Sequence, residues 1–263
     1  MKLITLMENT ASRPDLACEH GLSLYIEACG RKILFDAGQS DAFTGNADAL
    51  GVDLRKIDLA ILSHGHYDHS GGLRRFLELN SSAPLYLNER AFSDCWHGED
   101  HYIGIDQSLR DSGRIIQTGD EHPIAPGLTL LTCNSMKRTH PLSGQGLTIR
   151  NGDGSFVQDQ FLHEHYLLIE ENRRRILISG CSHKGILNIM SWLKPDVLIG
   201  GFHFMKMDPV SDREALNAAA DALNAYDTRY FTCHCTGIPQ FEALKTQLGD
   251  RLHYLSAGEV LTI

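Results

Sequence analysis

Apolar residues fall in short runs along the chain, and glycine or polar residues close each run. This pattern predicts strands over 3–7, 22–27, 32–35 and 59–62 in the first half. In the second half it predicts strands over 128–132, 165–169, 175–179, 197–199, 230–233 and 260–263. Helical spacing lies between the runs. Helices are predicted over 41–50, 72–79, 184–193 (with Ser182 as N-cap) and 238–248, where Phe241, Leu244 and Leu248 share a face. Ser211-Asp212-Arg213-Glu214 reads as a capping box opening a helix over 214–225. Strand pairs followed by alternating strands and helices predict a layered α/β architecture. Residues 90–126 have weak periodicity and read as a long insertion or lid. Residues 144–154 carry four glycines and read as a loop. No Pro/Ser-rich linker interrupts the chain, so 1–263 is expected to be one domain.

Composition narrows the class. Hydrophobic content is 42% and charged content 22%, as in soluble globular proteins. The formal charge of −9 and pI near 5.8 argue against general binding to nucleic acid or anionic membrane. A small anionic substrate remains compatible, because a metal supplies local positive charge. Seven cysteines, an odd number in a long chain, argue against a disulfide framework and for a reducing compartment. The N-terminal apolar run is too short for a signal peptide, and no stretch is long enough to span a membrane. The expectation is a cytoplasmic protein.

The chemistry concentrates in His64-Gly65-His66-Tyr67-Asp68-His69, directly after the predicted strand over 59–62. Packing alone gives no reason for three histidines and a carboxylate within six residues. Imidazoles with one carboxylate are the donor set of a borderline divalent cation such as zinc. His64 and His66 can face one ion while Asp68 and His69 face another, as in two-metal sites with ions about 3.5–4 Å apart. One loop does not close two coordination shells. His183, in Gly180-Cys181-Ser182-His183-Lys184-Gly185, and His234, in Cys233-His234-Cys235-Thr236-Gly237, both follow predicted strands and precede predicted helices. Asp36, at the end of the 32–35 strand, suits a group that accepts a hydrogen bond from a ligand imidazole. His203 is a candidate for binding substrate or transferring a proton. His163 and His165 are weaker ligand candidates, and Lys184 reads as a solvated lysine or a phosphate contact. Arg173-Arg174-Arg175 reads as a solvated hairpin turn.

These segments resemble the metallo-β-lactamase superfamily. Residues 64–69 match its His-x-His-x-Asp-His signature, Phe35-Asp36-Ala37-Gly38 its first motif, and His234 its late histidine. Glu19-His20-Gly21-Leu22-Ser23, Gly180-Cys181-Ser182-His183, Gly200-Gly201-Phe202-His203 and His234-Cys235-Thr236-Gly237 look more narrowly like the branch of dihydropterin-ribofuranosylaminobenzene-phosphate synthases. The resemblance implies an αββα sandwich with zinc, as one or two ions, at one edge, manganese and iron being the alternatives. It implies that His64, His66, Asp68, His69 and His234 are ligands. The family's bridging Asp follows a Ser/Thr-Gly turn, but here Cys181 follows Ser179-Gly180. Either the thiolate substitutes, or His183 takes over, or one metal binds weakly. His183 is the preferred reading, with Cys181 directed into the core.

The expected function is metal-dependent hydrolysis of a small phosphate-containing or ester substrate, with Asp68, Asp36 and His203 assisting. A dihydropterin-transferring synthase with a diphosphate leaving group is the alternative, and a non-catalytic metal-binding scaffold is another. Redox di-iron chemistry is disfavoured, because relatives of that type usually carry a carboxylate where His66 stands.

Overall fold

The computed structural model describes residues 1–263. Two seven-stranded sheets face each other. The first runs in the order Val260–Thr262, Lys2–Met7, Ser23–Ala28, Arg31–Phe35, Leu59–Ile61, Leu85–Asn88, Ile115–Thr118. The second runs Leu252–Tyr254, Arg229–Thr232, Val197–Ile199, Arg174–Ile178, Tyr166–Glu171, Leu128–Leu131, Glu121–Ala125. Each sheet combines antiparallel pairs with a block of parallel strands.

Alternation sorts the side chains. Leu24, Ile26, Ile33, Phe35 and Ile61 of the first sheet meet Leu128, Leu167, Ile169, Ile178 and Ile199 of the second in one buried core. The opposite face of the first sheet, with Leu34, Ala60 and Leu85, packs on Phe43 and Ala47 of helix Ala42–Ala49 and Leu73 and Phe76 of helix Leu73–Leu79. The outer face of the second sheet packs on helices Ile186–Leu193, Arg213–Asn224 and Ile238–Leu248. The layers are therefore helix, sheet, sheet, helix, as the sequence resemblance implies. Strands covered on both faces carry unbroken apolar runs, which is why the runs stand out in the sequence.

Several local expectations are corrected. Residues 90–126 carry regular structure: Ile115–Thr118 and Glu121–Ala125 are edge strands of the two main sheets. Cys95–His97 and His101–Tyr102 join Leu147–Arg150 and Phe156–Gln158 in a small four-stranded sheet, so the glycine-rich stretch 144–154 also contains a strand. Glycines at both ends of Leu147–Arg150 masked it. The capping box at Ser211 is not formed. Asp208 accepts from the Val210 and Ser211 amides and ties up that turn, and helix Arg213–Asn224 begins without a side-chain cap. Ser182 does not cap its helix either. Its hydroxyl bonds Ser179, and Gly185 at φ 87° precedes Ile186.

Parallel strands have a common end, and here that end collects the polar chemistry. Asp36 follows Arg31–Phe35, residues 63–69 follow Leu59–Ile61, Ser179–His183 follow Arg174–Ile178, His203 follows Val197–Ile199, and His234 follows Arg229–Thr232. Sites of open α/β sheets form outside the carboxyl ends of their strands.

Candidate metal centre

Four imidazoles converge with their Nδ1 atoms pinned outward. Ser63 Oγ donates to Asp36 Oδ2 at 2.7 Å, so it accepts from His64 Nδ1 at 2.8 Å. His69 Nδ1 donates to Asp36 Oδ2 at 2.7 Å. His234 Nδ1 donates to Asn9 Oδ1 at 2.8 Å, and His183 Nδ1 to the Ser143 carbonyl at 3.2 Å. Each contact places the proton on Nδ1 and leaves Nε2 as a lone pair. The Nε2 atoms of His64, His66, His183 and His234 are buried and have no hydrogen-bond partner. Buried polar atoms are rarely left unpaired, and four in one place call for a ligand. His234 Nε2 lies 3.3 Å from Asp68 Oδ2 without the alignment of a hydrogen bond.

The donors form two sets. His64, His66 and His183 bring their donor atoms within 4.8 Å of one another. Asp68 and His234 form a second such set with His20, whose Nε2 lies 3.3 Å from Asp68 Oδ2. His69 Nε2 is 3.8 Å from the same carboxylate oxygen. Cys181 stands between the sets. Its Sγ is 3.1 Å from His69 Nε2, and it groups with His64 and His69 on one side and with His234 and Cys235 on the other. The expectation that Cys181 points into the core is therefore corrected. His183 completes the set of His64 and His66 rather than joining the two sets.

The electrostatics suit a cation. Burial pushes His64 and His183 well below the ordinary histidine value, with neighbouring imidazoles adding to the effect. Burial likewise takes His66 down to about 3 and His234 to about 4. These rings stay neutral, as metal ligands must. Burial raises the Asp68 carboxyl, but His69, His20 and His234 outweigh it and hold Asp68 well below its ordinary value. Burial lowers His69, but Asp36 and Asp68 outweigh it and raise that ring. The residues therefore fit divalent cations: four neutral imidazoles with orphaned lone pairs, and the anionic oxygen of Asp68.

The backbone is shaped for this purpose. Asp36, Ser182, His203 and His234 all adopt positive φ, between 49° and 60°. Such conformations cost energy in non-glycine residues and cluster at functional sites. Gly65 has no space for a side chain, since a Cβ would strike the Ala91 carbonyl. The Glu164 carboxylate accepts from the amides of His183 (2.7 Å) and Lys184 (3.1 Å) and from Tyr166 Oη (2.7 Å), fixing the turn that carries His183.

Other expected site residues fall elsewhere. Asp36 is fully buried behind His69 and Ser63, so it positions a donor and does not meet substrate. His163 is spent on the Gly65 amide and Asp159, and His165 on Thr118 and the Leu62 carbonyl, so neither has a free nitrogen. Lys184 is buried against the carbonyls of Thr132 and Glu164, which corrects both the solvated and the phosphate readings. Burial lowers its amine to about 8. His203 stands with its ring 4.4 Å from that of His183 and lines a cavity of about 540 Å³ together with Leu142, Gln145, Lys206 and Met207. Burial, then Lys206, lowers His203 to about 4. Sequence reasoning gave no role to His20, Glu164, Glu8 or Asn9. Glu8 accepts from the His234 amide at 2.5 Å, and Asn9 bridges His234 and His20. The available signal was that polar residues stand immediately after or before apolar runs at 8–9, 19–20 and 163–164.

Facing sheets with a histidine-rich rim define the metallo-β-lactamase fold, and this chain belongs to the metallo-beta-lactamase superfamily, whose family model matches residues 17–132. Within it, the chain is 31% identical over 267 residues to an uncharacterized protein of Methanocaldococcus jannaschii, covering 98% of each chain. It is 26% identical over 289 residues to the 7,8-dihydropterin-6-methyl-4-(beta-D-ribofuranosyl)-aminobenzene-5'-phosphate synthase of the same organism, covering 99% of this chain and 96% of the relative. The crystal structure of Tm1679, described as a metal-dependent hydrolase of the beta-lactamase superfamily, superposes with a TM-score of 0.85 at 25% identity, covering 100% and 99% of the two chains.

Proposed function

We propose that this protein is a metal-dependent hydrolase acting on a small phosphate-containing or ester substrate. The observation that carries the reading is the set of four buried Nε2 atoms without partners. His64, His66 and His183 would hold one ion, and Asp68, His69 and His234 a second, with zinc the preferred metal on the donor types. A bound divalent ion supplies Lewis acidity and lowers the pKa of a coordinated water from about 15.7 toward about 7.

The chain's own residues do the rest. Asp36, Ser63, Asn9 and Ser143 fix which nitrogen of each ring faces inward. Asp68 provides the carboxylate that receives a proton or orients a water at the second set. His203 is neutral in the resting site. A substrate anion beside it offsets the burial penalty and the Lys206 charge, so the ring can bring a proton to the leaving oxygen. The adjoining cavity pairs the cationic and polar groups Lys206, His140 and Gln145 with the apolar Leu142, Phe204 and Met207. With Asp212 the only acidic residue in that lining, it suits a small anion with an apolar portion, and the net charge of −9 disfavours nucleic acid as partner. No helix is long and apolar enough to cross a membrane. Seven free thiols support a reducing, cytoplasmic setting.

The similarity to the dihydropterin synthase supports a second reading, transfer of a dihydropterin with a diphosphate leaving group held at the same centre. The test is metal analysis joined to a substrate panel. Turnover of a generic phosphodiester or ester that depends on restored zinc supports hydrolysis. Release of diphosphate from an activated pterin only when an amine acceptor is present supports transfer. A metal-loaded protein inert toward both contradicts the catalytic readings.

A further inference from the structure

We propose that Cys181 is a metal ligand whose thiolate joins the two halves of the centre. The proposal rests on the metal-binding reading above and adds a donor to it.

Position carries the argument. The Ser179-Gly180-Cys181 turn is pressed onto the histidine loop, because a Cβ on Gly180 would strike Ser63 Oγ. The Gly201 amide donates to the Gly180 carbonyl at 2.8 Å and holds the turn from the other side. The result places Cys181 Sγ 3.1 Å from His69 Nε2, and within 4.8 Å of donor atoms of His64 in one direction and His234 in the other. The unpartnered Nε2 atoms of His64 and His234 are both buried. A cation bound by either would find the sulfur beside it.

Charge argues the same way. Two divalent ions bring four positive charges, whereas the other proposed donors are five imidazoles, uncharged when they ligate a metal, and the single carboxylate of Asp68. Concentrated positive charge in a buried site is costly unless anions offset it. A coordinating cation deprotonates a thiol outright. On loading, the S–H bond breaks, a metal–sulfur bond forms and one proton leaves to solvent.

The other nearby thiols do not compete. Cys235 Sγ lies 3.5 Å from the Cys181 carbonyl and donates to it. Cys233 is packed in the core between the sheets. A thiolate among imidazoles selects zinc or cobalt over magnesium, calcium or manganese.

The test uses the full chain, reduced and loaded anaerobically with Co(II). The wild type is expected to show visible ligand-field bands together with a near-ultraviolet thiolate-to-cobalt band. Cys181→Ser is expected to lose the near-ultraviolet band, keep the visible bands, and bind the weaker ion at least tenfold less tightly, given that removing a mere hydrogen-bond partner of a ligand costs about 10–100-fold. Cys235→Ser is expected to keep both sets. Cys181→Asp guards against misfolding: it should bind two ions without the near-ultraviolet band. Visible bands without the near-ultraviolet band in the wild type, or persistence of that band in Cys181→Ser, overturn the thiolate ligand while leaving the metal centre standing. Failure of the wild type to take up cobalt overturns the metal centre itself, and this proposal with it.

Discussion

Asp36 illustrates how one side chain can govern a site it never enters. Its carboxylate accepts from the Ser63 amide and hydroxyl and from His69 Nδ1, and Ser63 in turn orients His64. One group therefore sets two donors, one in each half of the centre. Asp36→Asn should weaken metal binding about 10–100-fold, measured by competition with a chromogenic chelator. Unchanged affinity would remove Asp36 from the account. His66→Ala removes a donor directly and should lose most bound metal, with far-ultraviolet circular dichroism unchanged. At this scale the sequence was informative where donors are dense. Residues 64–69 announce themselves because imidazoles are costly to bury in number. His183 and His234 were legible as isolated histidines at strand ends. Cys181 was misplaced because a cysteine after a buried strand is usually a core residue, and only the packing of Gly180 on Ser63 turns it toward the centre. His20 stood in the motif Glu19-His20-Gly21-Leu22-Ser23 but received no role, because its partner is not local. It reaches Asp68 from a segment distant in sequence.

Elements fix the donors in space, and their hydrogen bonds impose a pH dependence. His165 opens the segment that leads into strand Tyr166–Glu171 and ties it to the histidine loop, with Nε2 donating to the Leu62 carbonyl at 2.6 Å. Burial, only partly offset by that bond, lowers its pKa to about 3. An unfolded histidine takes a proton below about 6.5, whereas this ring refuses it until about 3. Between those values the unfolded state binds more protons, so stability rises with pH and is lost as pH falls. The unfolding free energy of metal-free protein, from urea titrations, should drop between pH 7 and pH 4, by up to about 1.4 kcal/mol for each tenfold difference in proton affinity between the folded and unfolded ring. His165→Gln should flatten part of that slope, and an equal slope in the variant would contradict the assignment. Long apolar runs made most central strands and the longer helices readable to within a residue or two, but Leu85–Asn88 inside the first sheet, Leu252–Tyr254 at the edge of the second and the one-turn helix Tyr67–Ser70 were not predicted. The edge strands at 115–118 and 121–125 were not readable, because strands covered on one face only carry mixed residues such as Gln117, Glu121 and Pro123.

The whole molecule is two sheets held by an apolar interface, with the polar chemistry confined to one rim. Phe35 is fully buried in that interface and lies one residue before Asp36. Phe35→Ala should cost about 3–5 kcal/mol in chemical denaturation, because a cavity there cannot collapse between two sheets. A metal held at the rim, as proposed, would stabilise the fold from outside the chain. Ligand bound only to the folded state adds about 4 kcal/mol when present at a thousand times its dissociation constant. Chelation should therefore lower the melting temperature by several degrees and re-addition of zinc should restore it. The layered architecture was legible from run spacing together with the signature motif, whereas the approach of the two strand ends that forms the site depends on contacts between residues far apart in the chain. The most direct test of the account is anomalous diffraction at the zinc edge from a zinc-loaded crystal. The account predicts one peak about 2.0–2.1 Å from Nε2 of His64, His66 and His183 and a second beside Asp68, His69 and His234. Peaks only elsewhere on the molecule, or none at this rim, would contradict it.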